Sequence, residues 1–143
     1  MKKRDYVISV KGMQSYADTL MDDTNVEMMS ECDLTFEDGK YFAEYEETEA
    51  TGMEGTITTI EVDGEYVSVV RSGKISTTML FIKGRQTTSY YETPFGTMIM
   101  GITTEDIETD LTLGGGKVSV TYSISMNNVY TGKNTFEINI RKF

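Results

Sequence analysis

The side chains able to do chemistry in this chain are arginine, carboxylates and tyrosine, because histidine is absent and cysteine occurs once. Arg71 shares strand parity with Val67 and Val69, and Glu47 shares parity with Tyr41, Ala43 and Tyr45. If both faces turn inward, a cation and an anion enter one interior, where desolvation forbids either to stay isolated. Three arrangements meet that condition. The first is an internal Arg71–Glu47 salt bridge, hydrogen-bonded by tyrosines such as Tyr45, Tyr91 or Tyr122. The second ends the strands there, so that both charges reach water. The third is a pocket in which Arg71 receives a carboxylate or phosphate. A few convergent polar groups in an apolar lining are the usual make-up of a small-molecule site. The candidate ligand contacts are therefore Arg71, Glu47, Tyr45, Tyr91 and Tyr122, with Phe95 closing one end.

Catalytic alternatives are short of material. Without histidine there is no imidazole base, no Ser-His-Asp or Cys-His pair, and the commonest metal ligand is missing. Cys32 stands between Glu31 and Asp33, whose carboxylates disfavour a thiolate, so a buried structural thiol is expected. Acids cluster at Glu44, Glu46, Glu47 and Glu49, and again at Glu105, Asp106, Glu108 and Asp110. Paired carboxylates can cleave glycosides or hold Ca²⁺, but alternation sends most of these to the polar face. The spacing from Asp33 to Asp38 does not make a calcium loop. The expectation is a protein without catalytic residues, metal or cofactor.

Charge narrows the partners. The 143 residues carry a formal net charge of −10. Lys2, Lys3, Arg4, Arg141 and Lys142 lie at the two ends, leaving eight basic residues against all 23 acids between them. Such a body repels nucleic-acid backbones and anionic lipid, so neither nucleic acid nor membrane is an expected partner. No apolar run is long enough for a signal peptide or a membrane span, and the chain reads as cytoplasmic.

The positioning elements are strands. Val118, Val120, Tyr122, Ile124 and Met126 alternate with Lys117, Ser119, Thr121, Ser123 and Ser125. Tyr6, Ile8 and Val10 share a face, as do Val26, Met28, Cys32, Leu34 and Phe36. Tyr41–Tyr45, Ile57–Val62, Tyr66–Arg71, Ile75–Ile82, Gln86–Glu92 and Met98–Thr103 read alike. Ile107, Leu111 and Leu113 form another inward set, and Phe136, Ile138 and Ile140 close the series. Asp38-Gly39, Asp63-Gly64 and Asn127-Asn128 supply tight turns. Gln14–Asn25 fits either a long hairpin tip or a helical turn. About ten short strands in consecutive hairpins accumulate twist and curl, and closure removes exposed edges. The predicted fold is all-β: one domain over 1–143, an antiparallel up-and-down β-barrel. A two-sheet sandwich is the alternative. Ten methionines, Met79, Met98 and Met100 among them, suit a deformable cavity or simple gap-filling in a core.

The only proline lies in Tyr91-Glu92-Thr93-Pro94-Phe95-Gly96, where its fixed φ and missing N–H predict a sharp corner between strands. That corner stands in order with Tyr45-Glu46-Glu47 and Arg71-Ser72-Gly73 before it. A glycine-rich turn and Val118-Ser119-Val120-Thr121-Tyr122 follow it. In this order and spacing the chain resembles the YwiB-like family, small uncharacterised bacterial proteins. The resemblance implies a calycin-like barrel, related in shape to lipocalins and fatty-acid-binding proteins, and implies no activity or ligand. The Gly-x-Trp signature of true lipocalins is missing, since the chain has no tryptophan. The expected function is binding of a small, partly apolar or amphipathic molecule in the lumen. The alternative is a solidly packed barrel that serves as a structural or interaction module, compatible with a homodimer.

Overall fold

The computed structural model describes residues 5–12, 27–46, 55–73, 76–93, 96–126 and 129–142. Ten strands follow one another: β1 (Tyr6–Lys11), β2 (Glu27–Glu37), β3 (Lys40–Glu46), β4 (Ile57–Val62) and β5 (Tyr66–Ser72), then β6 (Thr77–Ile82), β7 (Gln86–Thr93), β8 (Gly96–Thr112), β9 (Gly115–Met126) and β10 (Val129–Lys142). No helix occurs among the described residues, so none there is long and apolar enough to cross a membrane. The spans Gln14–Asn25, Pro94-Phe95 and Asn127-Asn128 lie outside the described residues.

All strands join one antiparallel sheet in the order β6-β5-β4-β3-β2-β1-β10-β9-β8-β7, with β1 and β10 bringing the two ends of the sequence together. The sheet curls into a nearly closed barrel, not a sandwich. β2 carries the curl: Glu27–Cys32 pair with β1, and Asp33–Glu37 pair with β3. Between β2 and β3 the two-residue loop Asp38-Gly39 has φ of 53° and 79°. Two positive φ values are what a hairpin turn matching the strand twist requires.

Period-two alternation puts Ile8, Cys32, Ile60, Val67, Val69, Phe81, Ile102, Val120, Phe136 and Ile138 inside. Cys32 is buried and in no disulfide, the structural thiol expected from its acidic neighbours. β8 is one strand where the sequence reads two segments. Glu105 is an extra residue opposite β9, between the pairs Thr104–Tyr122 and Asp106–Thr121. This bulge shifts the inward parity from Met100, Ile102 and Thr104 to Ile107. Two expected core residues sit at strand ends instead. Phe36 is half exposed and packs its ring 4.7 Å from that of Tyr41, and Leu113 is 48% exposed beside the β8–β9 turn. The Leu113 carbonyl there accepts a hydrogen bond from the Tyr6 hydroxyl at 2.6 Å.

Closure is incomplete at one line. β6 and β7 are consecutive strands joined by three residues, yet they are the two ends of the hydrogen-bonded order. Side chains close the seam in place of a ladder. The Ser89 hydroxyl donates to the Thr78 carbonyl, and the Thr87 hydroxyl donates to the Leu80 carbonyl at 2.5 Å. The connecting turn is pinned to β8, where the Gly84 N–H donates to the Thr104 carbonyl and the Thr104 N–H to the Arg85 carbonyl.

Candidate functional site

The registers of β3 to β6 stack the interior into rungs. Tyr41, Val62, Val67 and Phe81 pair in sequence across the four strands, and Ala43, Ile60, Val69 and Met79 form the next rung. The third rung is Tyr45, Thr58, Arg71 and Thr77. One end of this half of the barrel is therefore polar, and the rungs beneath it are apolar.

Every member of the polar rung is buried, Arg71 and Thr77 at 4% exposure each. A charge that deep demands compensation. The Arg71 Nη1 lies 3.9 Å from the Met79 sulfur, a soft acceptor one rung below, and Arg71, Tyr45 and Thr58 each make further interactions. The Thr77 hydroxyl is different: it is inaccessible and has no hydrogen-bond partner among the described residues. The end of β5 also presses on the chain leading into β4. A side chain at Gly73 would put its Cβ 2.8 Å from the Thr56 hydroxyl and 2.9 Å from the Thr56 Cα. Only glycine fits, which gives the Arg71-Ser72-Gly73 sequence a physical reason.

Outside the polar rung, a cleft of about 560 Å³ follows the β6–β7 seam. Inward-facing Arg71, Thr77 and Ser89 contribute to it from below, and outward-facing Val70, Leu80 and Tyr90 from its walls. Ser72, Ser76, Thr78 and Thr88 also line it. Among the described residues its polar groups are hydroxyls and the Arg71 guanidinium, a combination that donates hydrogen bonds.

The sequence-derived candidates separate. Arg71 and Tyr45 share the rung. Tyr122 is buried in the centre, where its ring meets Phe81 and Phe136 edge-on at centroid distances of 5.0 and 5.7 Å, with Phe81 and Phe136 5.2 Å apart. Phe81 stands four residues along β6 from Thr77, a separation of about 13 Å on an extended strand. This aromatic trio fills the middle of the lumen. The backbone of Tyr91 in β7 pairs with Met98 in β8, and the Tyr91 side chain lies outside the described residues, as do Glu47 and Phe95. Thr58, Thr77 and Ser89 were not among the candidates. They obey the parity rule that selects Arg71, but a hydroxyl is at home on either face of a strand, so it raises no flag.

The acids go elsewhere. Glu46, Glu105, Glu108 and Asp110 are exposed, and no group of three metal-ligating side chains occurs among the described residues. Asp106 and Glu105 take surface ion pairs with Lys83 at 3.2 Å and Lys133 at 2.9 Å.

Comparison with known proteins places the fold. The crystal structure of the ywiB protein from Bacillus subtilis superposes with a TM-score of 0.78 at 20% sequence identity, covering 96% of this chain and 91% of that one. No curated protein matches the chain at a significant level. The signature of a domain of unknown function, DUF1934, matches residues 8–138, nearly the whole barrel, and the chain belongs to that family.

Proposed function

We propose that this protein binds a small, partly apolar molecule at the Arg71 end of its barrel and performs no catalysis. The observation that carries this reading is the seam cleft, which joins the buried Arg71 and a hydroxyl without a partner among the described residues to an apolar wall. A buried polar atom without a partner costs about 1–3 kcal/mol, and a bound molecule or water removes that cost. The cleft is within the size range of small-molecule sites. Because the aromatic trio occupies the middle of the lumen, the ligand belongs at one end and not along the axis.

The packed centre also supports the alternative of an interaction module, and exposed Val70, Tyr90 and Ile99 near the seam are apolar surface such a module could use. Native mass spectrometry of the protein purified from its own cells separates the two. A discrete extra mass, removed by organic extraction and absent in Thr77→Val with the fold intact, is the expected result. A clean apo mass in both proteins would favour the interaction module.

A further inference from the structure

We propose that the Lys83-Gly84 turn holds the seam cleft open by setting β6 and β7 one residue out of step; this rests on the binding function proposed above. Met79 of β6 and Ser89 of β7 face inward, while Thr78, Thr88 and Tyr90 are exposed. Residues opposite each other in a ladder share a face. The ladder that would shut the seam therefore sets Met79 opposite Ser89, Thr78 opposite Tyr90 and Leu80 opposite Thr88. The backbone is already aimed for it. The Thr78 and Leu80 carbonyls point at β7, since they accept the Ser89 and Thr87 hydroxyls. On β7, the Arg85 carbonyl accepts from the Thr104 N–H, and hydrogen-bonded pairs recur at every second residue. Thr87 and Ser89, paired with Ile102 and Met100, thus turn their backbone to β8, and Thr88 and Tyr90 turn theirs to β6.

The turn opposes that ladder. The Arg85 N–H donates to the Ile82 carbonyl at 3.0 Å, closing a two-residue loop. Carried along the strands, its register sets Leu80 opposite Thr87 and Thr78 opposite Ser89, the latter an exposed residue against a buried one. A disagreement of one residue puts the faces of the two strands in conflict, and no ladder grows from it. The hydroxyl stitches follow the turn's register. Each reaches a carbonyl that the closing ladder would give to the next N–H along β7. Turn type acts in the same direction. Of the two loop residues only Gly84 has positive φ, 76°, as in a type II turn, whose twist splays the flanking strands. Asp38-Gly39, with both values positive, carries a ladder from its first pair, Glu37–Lys40. Neighbours fix the Lys83-Gly84 loop in place. The Lys83 N–H bonds the Glu65 carbonyl, the Gly84 N–H bonds the Thr104 carbonyl, and the Lys83 ammonium pairs with Asp106 at 3.2 Å. The opening is thus built into the loop. A slip of one residue, to a loop of Lys83-Gly84-Arg85 with Ile82 opposite Gln86, would close it.

The test moves the positive-φ position by that one residue. Three-residue hairpin loops place it third, so Gly84→Asn combined with Arg85→Gly should release the ladder. Followed by NMR, the Thr78, Leu80, Thr88 and Tyr90 amides of this variant should exchange roughly tenfold or more slowly than in the wild type. Native mass spectrometry should show the extra mass in the wild type and not in the variant. Gly84→Ala alone strains the present turn without meeting any atom within 4 Å, and should slow the same amides if the double variant fails to fold. Unchanged exchange at these amides in the folded variants would overturn the role of the turn and leave the binding function standing. A laddered variant that kept the bound molecule would overturn it as well, since the ladder would then not shut the site. A clean native mass of the wild type would remove the binding function and the gating with it.

Discussion

Lys117 donates to Glu137 at 2.8 Å between β9 and β10, and this hydrogen bond, backed by the lysine charge, holds the Glu137 carboxyl below the ordinary carboxylate value of 4.5. The same bond raises Lys117. Because the folded value lies below the unfolded one, the unfolded chain binds more protons in mild acid. The contribution to stability is therefore complete above the unfolded value and is lost as pH falls through the folded one. Thermal unfolding of the wild type and Glu137→Gln should differ at neutral pH, and the difference should vanish in acid. Both groups are solvent-facing, so the gap is small and salt shrinks it. A gap that persisted into acid would remove the carboxylate from the explanation. Ionisable residues of this kind announce themselves in a sequence, and Arg71 at inward parity did so. Thr77 did not, because one threonine looks like another until burial separates them. What made Thr77 visible was its burial without a partner among the described residues.

The strands themselves were legible, because one residue in two faces the core, and the tight turns at Asp38-Gly39 and Asp63-Gly64 carry Asp and Gly. The bulge at Glu105 and the split pairing of β2 were not, since both arise from how distant strands must bend to close. The seam belongs to that class. β6 and β7 follow each other closely enough for an ordinary hairpin, yet hydroxyls replace their ladder. Each such bond contributes on the order of 1 kcal/mol, and a side-chain contact does not propagate along the strand as a ladder does. Hydrogen exchange should therefore be faster at Thr78 and Leu80 than at Val67 and Val69, whose strand is paired on both sides. Removing both stitches with Thr87→Val and Ser89→Ala should raise exchange along β6 and β7 first, with β9 and β10 little changed. Uniform acceleration over all strands would mean that the seam opens only by global unfolding.

At the scale of the molecule, one strand serves two halves. β1, β7, β8, β9 and β10 curve together on one side, and β3 to β6 on the other, with β2 paired to both. The interior is shared as well, since Phe81 of one half packs against Tyr122 and Phe136 of the other. Neither half can bury its apolar face alone, so the barrel should unfold as a single unit despite the soft seam. The chain has no tryptophan, which makes a reporter easy to place. Phe36→Trp at the β2–β3 end and Leu113→Trp at the β8–β9 turn put one probe in each half at positions already exposed to solvent. Their urea transitions should coincide with each other and with the loss of strand signal in circular dichroism. If the Phe36→Trp probe melted at lower urea, β3 to β6 would be a separate folding unit. The Arg71 rung would then lie on the less stable half, and ligand binding would be expected to raise that transition alone.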